Sequence, residues 1–132
     1  MILDTSAAVP LLLDHELSDV ARRTLFGQPL VSPALIGVET ANALWKYAVR
    51  DGLTTLQLAE MVSSLNEIVE FVPDTQLLSH AIELAVEHRH PVYNCLYLAL
   101  ALQRREPLAT ADRRLAALAR QLSIGTELIE PA

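Results

Sequence analysis

Four short segments, far apart in the chain, each place an acidic or amide side chain where a predicted strand gives way to a loop or helix. The segments read MILDTSA, GVETANAL, PVYNCLYLAL and LATADRRL, and the side chains are Asp4, Glu39, Asn94 and Asp112. Carboxylates in one cleft repel one another, and a hard divalent cation such as Mg²⁺ or Mn²⁺ removes that penalty while binding oxygen ligands. The pattern predicts a metal site, with Asp4, Asn94 and Asp112 as metal ligands and Glu39 as a further catalytic residue.

Residues beside these acids predict the chemistry that the site performs. Ser6 and Thr110 are expected to support the carboxylates or bound waters. Two arginine pairs are candidate phosphate contacts in an otherwise acidic chain, namely Arg113 with Arg114 and Arg104 with Arg105. A magnesium ion held by acidic side chains can orient a phosphodiester and lower the pKa of a bound water, which then attacks. This combination indicates a hydrolytic nuclease.

Zinc chemistry is disfavoured by the placement of the softer ligands. The four histidines lie apart from the acidic segments, and the single cysteine, Cys95, lies inside the apolar run YNCLYLALAL. Zinc sites are built mainly from histidine and cysteine ligands. We therefore interpret Cys95 as a buried apolar residue and the histidines His15, His80, His88 and His90 as surface or loop residues.

Size and composition predict one domain over residues 1–132. Hydrophobic residues make up 52% and charged residues 20% of the chain, which is typical of a compact fold with an apolar face that a partner covers. The net charge of -6 argues against coating of nucleic acid by bulk electrostatics. No signal peptide and no apolar run of about 18 residues is present, so we expect a cytoplasmic protein without a membrane partner.

The elements that must position the site alternate between strands and helices. Strands are predicted at Ile2–Leu3, Leu30–Val31, Ile68–Val72, Pro107–Thr110 and Thr126–Ile129. Helices are predicted at Pro10–Leu13, Asp19–Phe26, 34–50, after Thr54, after Thr75, at Cys95–Leu102 and at Asp112–Leu122. This alternation predicts an α/β fold with a central parallel sheet of four to five short strands covered by helices on both faces.

Two local features carry more specific predictions. Ser32 followed by Pro33 is typical of a helix start, so the helix over 34–50 is expected to be capped by Ser32. On that helix, a core-facing stripe is predicted from the helical spacing of Leu35, Val38, Asn42 and Trp45. A loop is expected from His88 to Tyr93.

Ligands of parallel α/β sheets bind beyond the carboxyl ends of the strands. Asp4 follows the first strand and Asp112 follows the fourth, so both are expected at that edge. Glu39, in the helix after the second strand, and Asn94, at the start of the buried helix, are expected to converge there.

The four segments resemble the PIN-domain ribonucleases, and more closely the VapC-type toxins of bacterial toxin-antitoxin pairs. The shared pattern is an LDTS-type first strand, a glutamate in the following long helix, a (V/I)YD(C/A)LYLALA-type helix start and a TxD after the fourth strand. Asp4, Glu39, Asn94 and Asp112 occupy those positions, over nearly the whole chain. Their order and spacing, more than any single motif, make the resemblance specific.

The resemblance implies a three-layer α/β/α PIN-like domain and a Mg²⁺- or Mn²⁺-dependent endoribonuclease that cuts structured RNA such as transfer RNA. It also implies a homodimer and a cognate VapB-like antitoxin whose carboxyl-terminal arm covers the active site. Operator DNA is expected to be bound only through the antitoxin.

Asn94 departs from the family pattern, which has aspartate at this position. Asparagine keeps the size and one oxygen ligand but removes a negative charge, so weaker metal binding and slower turnover are expected. The chain is either a natural weak variant or a deliberately inactivated form. Two other readings remain: a catalytically silent PIN-fold binding module, and a receiver-like or flavodoxin-like signalling domain, for which the only lysine, Lys46, is poorly placed.

Overall fold

Five parallel strands form the central sheet. The protein is described by a computed structural model of all 132 residues, in which the strands are β1 (Ile2–Leu3), β2 (Leu30–Pro33), β3 (Val69–Val72), β4 (Leu108–Thr110) and β5 (Thr126–Leu128). The order across the sheet is β3-β2-β1-β4-β5, and every neighbouring pair is parallel. Both residues of β1 are fully buried, as expected of a central strand covered on both faces. The predicted parallel sheet is confirmed.

Eight helices cover this sheet and complete a three-layer α/β/α fold. They are α1 (Thr5–Leu12), α2 (Ser18–Leu25), α3 (Ile36–Asp51), α4 (Thr55–Ser63), α5 (Leu65–Ile68), α6 (Leu78–His88), α7 (Val92–Arg104) and α8 (Arg113–Gln121). Helix α7 is buried at every position from Cys95 to Ala101, which confirms the prediction of a helix between layers. None of these helices has the length and apolar character needed to cross a membrane.

The helix predicted after Thr54 is confirmed, and a short turn joins it to α3. Gly52 ends α3 in the left-handed region, with φ of 74°, a conformation that glycine adopts without steric cost. Thr54 then starts α4 with a reciprocal capping box, in which its hydroxyl and the Gln57 side chain each accept from the other residue's backbone N–H.

The predicted cap of α3 was wrong. Ser32 and Pro33 are the last residues of β2, and the Ser32 hydroxyl donates to the Leu3 carbonyl at 2.6 Å. The free amide of Leu35 instead donates to the Asp74 carboxylate at 3.0 Å. Because this acceptor comes from a residue 39 positions away, local sequence spacing could not identify it.

The predicted core stripe of α3 was also wrong. Val38 and Trp45 are 70% and 47% exposed, whereas the buried side of α3 is formed by Ile36, Thr40 and Leu44. These three residues recur at intervals of four and therefore share one face of the helix. The apolar residues Val38 and Trp45 are left on the surface.

Two helix boundaries also differ from the predictions. Helix α1 begins at Thr5 and not at Pro10, because the carboxylate of Asp4 accepts from the Ala7 amide and caps the first turn. The expected loop from His88 to Tyr93 shrinks to three residues between α6 and α7.

Candidate active site

Asp4 follows the central strand β1 and is almost fully buried, at 5% exposure. Its Oδ1 accepts from the Ser6 hydroxyl at 2.7 Å and from the Ala7 amide at 3.0 Å, and its Oδ2 accepts from the Thr110 hydroxyl at 2.5 Å. Burial raises the pKa of Asp4 from 3.8 to about 6, and the negative charge of Asp112 adds to the rise, while the three hydrogen bonds oppose it. A buried acid with a raised pKa is stabilised by a nearby positive charge.

Thr110 and Ser6 connect Asp4 to the end of the neighbouring strand β4. Both hydroxyls donate their single hydrogen to Asp4, and their oxygens lie 3.1 Å apart. Those oxygens in turn accept from the backbone: Ala111 N–H donates to Ser6 at 2.8 Å and Asp112 N–H to Thr110 at 3.0 Å. Because β1 and β4 pair in parallel, their carboxyl ends place this network at one edge of the sheet.

Asp112 caps helix α8 through one oxygen of its carboxylate. As the cap of α8, its Oδ1 accepts from the amides of Arg114 and Leu115 at 2.9 and 3.1 Å. Its Oδ2 receives no hydrogen bond within the protein. Capping therefore fixes the carboxylate and leaves one oxygen available to a ligand.

Glu39 is held by two hydroxyl groups that the sequence analysis did not single out. The Tyr97 hydroxyl donates to Glu39 Oε1 at 2.6 Å, and Thr5 donates to the same oxygen at 3.3 Å. Tyr97 is 1% exposed, and its pKa is raised by burial and by the neighbouring Glu39 charge. The tyrosine within the apolar run of α7 could have indicated such a contact, since buried tyrosine hydroxyls require a hydrogen-bond partner.

Asn94 contacts a histidine and none of the acids. Its Nδ2 lies 3.2 Å from His90 Nε2, a distance at which a neutral imidazole accepts from the amide. His90 lies in the loop between α6 and α7, as predicted, but it is buried, at 7% exposure. Its pKa is lowered by burial and by the Arg114 charge, and Asp112 acts in the opposite direction. His90 therefore lies within the electrostatic reach of the Asp112 side of the site.

The four predicted residues thus differ in how directly they are joined. Asp4 and Asp112 share the bridging hydroxyl of Thr110. Glu39 is connected through Thr5, the neighbour of Asp4 in the chain. Asn94 makes no hydrogen bond to the three acids. The structure contains no group of three or more His, Cys, Asp or Glu side chains arranged to hold a metal ion.

The chemistry of the donor set nevertheless fits a hard divalent cation. Glu39 Oε2, Asp112 Oδ2 and Asn94 Oδ1 accept no hydrogen bond within the protein, although another atom of each side chain is held in place. All are oxygen donors, the type that Mg²⁺ and Mn²⁺ prefer. Because Mg²⁺ usually keeps several waters and takes only one or two carboxylates, the residues present suit such an ion without forming a closed cage.

The arginine pairs lie at opposite edges of the sheet. Arg113 and Arg114 begin α8 directly after Asp112 and are exposed, with Arg113 3.6 Å from Glu130. Arg104 ends α7 and pairs with Glu70 at 2.6 Å, near the start of β4 and so away from Asp4. Arg113 and Arg114 are therefore the pair positioned beside the candidate site.

The chain belongs to the PIN domain family, whose pattern it matches over residues 1–121. Ribonuclease VapC3 of Pyrobaculum aerophilum is 33% identical over 120 residues, covering 88% of this chain and 92% of the relative. Ribonuclease VapC12 of Mycobacterium tuberculosis is 32% identical over 117 residues, covering 88% and 89%. These relatives confirm the resemblance drawn from the four segments.

A solved structure supports the fold independently. The crystal structure of PAE2754 from Pyrobaculum aerophilum superposes with a TM-score of 0.68 at 24% identity, covering 88% of this chain and 76% of that one. The family match favours a PIN fold over the receiver-like reading. Consistent with this, Lys46 is an exposed residue of α3.

Proposed function

We propose that this chain is the toxin of a type II, VapBC-like toxin-antitoxin module and acts as a Mg²⁺- or Mn²⁺-dependent endoribonuclease that hydrolyses RNA phosphodiester bonds. The observation that carries the proposal is the Thr110 hydroxyl, which joins the carboxylate of Asp4 to the backbone of Asp112 at the carboxyl ends of two adjacent strands. The relatives named ribonuclease VapC support the same activity.

The side chains have distinct roles in this proposal. Asp4, Asn94 and Asp112 would hold the ion through oxygen atoms. Glu39 would accept a hydrogen bond from the attacking water. When bound, the ion supplies charge neutralisation at the phosphate and lowers the pKa of a coordinated water. Ser6 and Thr110 fix Asp4 by donating to its two oxygens, so that its carboxylate does not have to reorganise during the reaction.

Arg113 and Arg114 would contact the RNA phosphates. They stand at the first turn of α8, next to Asp112, and both side chains are exposed. Guanidinium groups bind phosphate oxygens in a bidentate manner, and such contacts position the nucleic acid without reading its sequence. This local basic pair allows an acidic protein to bind RNA at one place only.

Asn94 makes the present chain a weak enzyme in this proposal. One of the four positions carries no charge, and the amide is engaged by His90 at 3.2 Å. The same contact favours a second candidate function, a catalytically silent PIN-fold module that binds RNA or a partner protein, because the amide Nδ2 has a partner without any ion. The experiment below separates these two functions.

The proposed partners are a cognate VapB-like antitoxin, an RNA substrate such as transfer RNA, and a second copy of the chain in a homodimer. Operator DNA would be bound only through the antitoxin, in the cytoplasm. Three apolar residues of α3 are exposed, namely Val38, Trp45 and Val49. They support the presence of a surface that a partner covers.

The test is to restore the family aspartate with Asn94→Asp and to measure cleavage of a transfer RNA mixture with Mg²⁺, with Mn²⁺ and with a chelator. We expect metal-dependent cleavage that rises on the order of 10- to 100-fold over the unchanged chain. Asn66→Asp, the same chemical change at an exposed position of α5, is the matched control and should leave the rate unchanged. An Asn94→Asp protein that stays inactive with both metals would support the silent module.

A further inference from the structure

Glu39 and Tyr97 form a hydrogen-bonded contact between helices α3 and α7. Glu39 projects from the first turn of α3 and is half-buried, while Tyr97 lies in the fully apolar stretch of α7. The Tyr97 hydroxyl donates to Glu39 Oε1 at 2.6 Å, a short distance typical of a hydrogen bond to an ionised group. The phenol therefore finds its partner in a residue of the candidate site.

The hydrogen bonds are distributed asymmetrically over the Glu39 carboxylate. Oε1 accepts from the Tyr97 hydroxyl at 2.6 Å, and the Thr5 hydroxyl lies 3.3 Å from Oε1 and 3.3 Å from the Tyr97 oxygen. Oε2 receives none within the protein. A glutamate side chain with three rotatable bonds loses rotamer freedom when one oxygen is fixed, so these two donors set the direction in which the other oxygen points.

Helix α7 also links two parts of the site. Asn94 and Tyr97 are three residues apart and so lie on the same side of the helix. Asn94 supplies an oxygen donor from that side, and Tyr97 orients Glu39 from it. Phenylalanine would fill the same apolar space without needing a hydrogen-bond partner, so packing alone does not account for the hydroxyl.

We propose that Tyr97 is a positioning residue, which holds Glu39 through Oε1 so that Oε2 is directed at the divalent cation or its bound water. Thr5 contributes a weaker second donor to the same oxygen. This inference rests on the proposed function, because it gives Glu39 its role at a metal site.

The experiment measures Mn²⁺ affinity directly, from the electron paramagnetic resonance signal of free Mn²⁺, and so does not depend on cleavage. Four proteins are compared with the unchanged chain: Tyr97→Phe, Glu39→Ala, the variant with both changes, and Tyr47→Phe. Tyr47 lies on α3 and its hydroxyl makes no hydrogen bond, so Tyr47→Phe is the matched control and should bind Mn²⁺ as the unchanged chain does.

We expect Tyr97→Phe to weaken Mn²⁺ binding about tenfold, since residues that orient metal-site groups typically contribute 10- to 100-fold. Because Tyr97 acts through Glu39, the double variant should bind no more weakly than Glu39→Ala alone. A merely structural tyrosine would weaken binding equally in both backgrounds. That result, or unchanged affinity of Tyr97→Phe, would overturn the inference.

Failure of the inference is distinguishable from failure of the proposed function. If the unchanged chain binds no Mn²⁺, the proposed function fails together with this inference. If the unchanged chain binds Mn²⁺ but no better than Glu39→Ala, Oε2 is not directed at the cation, and this inference fails while the proposed function stands. If the unchanged chain binds better and Tyr97→Phe matches it, only the role of Tyr97 is refuted.

A second pair of variants covers the case in which Tyr97→Phe does not fold. Thr5→Val removes the weaker donor and keeps the branched shape, and Thr5→Ser keeps a hydroxyl. We expect Thr5→Val to weaken Mn²⁺ binding about two- to threefold and Thr5→Ser to restore most of it. Equal affinity of both variants and the unchanged chain would count against positioning through Oε1.

Discussion

The two sides of the candidate site are built differently. On the acid side, formed by Asp4, Thr110 and Asp112, five hydrogen bonds end on the two carboxylates. On the amide side, formed by Asn94 and His90, a single contact of 3.2 Å joins two neutral groups. Both sides belong to the same edge of the molecule, but only one of them holds negative charge in a fixed geometry.

The two sides therefore contribute differently to the stability of the fold and to its capacity to bind a cation. The acid side keeps a buried carboxylate whose pKa is raised to about 6, so it is destabilised at neutral pH until a positive charge arrives. The amide side carries no such penalty, because both groups are neutral and the amide Nδ2 donates to the imidazole. An aspartate at position 94 would add a negative charge beside the acid side and would lower the stability of the metal-free fold.

The largest expected effect is on catalysis by the acid side. In the Asn94→Asp background, Asp4→Ala should reduce metal-dependent RNA cleavage by on the order of 1,000-fold, equivalent to about 4 kcal/mol in the activation barrier, because it removes a ligand and the acceptor of Ser6 and Thr110. Initial rates at saturating Mg²⁺ provide the measurement. Asp14→Ala, at an exposed acid outside the site, is the control. Comparable rates for both variants would show that the acid side is not catalytic.

The next effect is a pH dependence of stability due to Asp4. The folded-state pKa of about 6 lies above the ordinary value of 3.8, so the folded protein binds this proton more tightly than the unfolded chain does. The contribution of Asp4 to the free energy of unfolding is therefore greatest below pH 3.8 and is lost as the pH rises through 6. The total loss should be roughly 3 kcal/mol.

Urea unfolding in chelator, across the same pH interval, measures this loss as a difference between the unchanged chain and Asp4→Asn. Asparagine does not titrate, so its unfolding free energy should lack the Asp4 component. Parallel pH profiles for the two proteins would mean that burial does not raise the pKa of Asp4. Added Mn²⁺ should reduce the loss above pH 6 by neutralising the carboxylate.

Thr110→Val tests the bridge within the acid side. The substitution keeps the shape but removes the donor to Asp4 and the acceptor for the Asp112 amide. Leaving these buried groups without a partner should lower the free energy of unfolding by about 1 to 3 kcal/mol. Urea unfolding at neutral pH is the measurement, with Thr75→Val, an exposed residue, as control. A loss no larger than that of the control would contradict the bridging role.

The acid side was largely predictable from the sequence, and the reason is topological. Asp4 and Asp112 each follow a short apolar strand, and the carboxyl ends of parallel strands meet at one edge of the sheet. The sequence could not say that β1 and β4 are neighbours, because strand order depends on crossovers between distant segments. Thr110 could therefore be proposed as a supporting residue, but its bond to Asp4 could not be foreseen.

The remaining features depend on contacts that local periodicity does not encode. The Tyr97 hydroxyl reaches Glu39 across 58 positions, and Asp74 accepts from the Leu35 amide before α3 across 39. The burial of His90 follows from the short turn between α6 and α7, which was expected to be a longer loop. On α3, apolar residues occur at helical spacing on two different faces, so spacing alone could not identify the buried face. The apolar residue Trp45 lies on the exposed face.

The smallest expected effect concerns the amide side. In chelator at about pH 8, Asn94→Asp should lower the free energy of unfolding by about 1 kcal/mol, because it adds a negative charge on the side of the site facing Asp112 and removes the donor to His90. Burial lowers the pKa of His90, so the imidazole is neutral at this pH and cannot compensate the new charge. Thermal melting of both proteins provides the measurement.

The Asn94→Asp variant also tests the contact between residue 94 and His90 when the pH is lowered. An aspartate at position 94 would raise the pKa of His90 above its value in the unchanged chain, so the protonated imidazole would stabilise the variant at low pH and this gain would be lost as the pH rises. The stability deficit of Asn94→Asp should therefore shrink between about pH 8 and pH 5.5. A deficit that stays constant would mean that His90 does not respond to residue 94. An Asn94→Asp protein more stable than the unchanged chain at pH 8 would show that the neutral amide gives the metal-free fold no advantage.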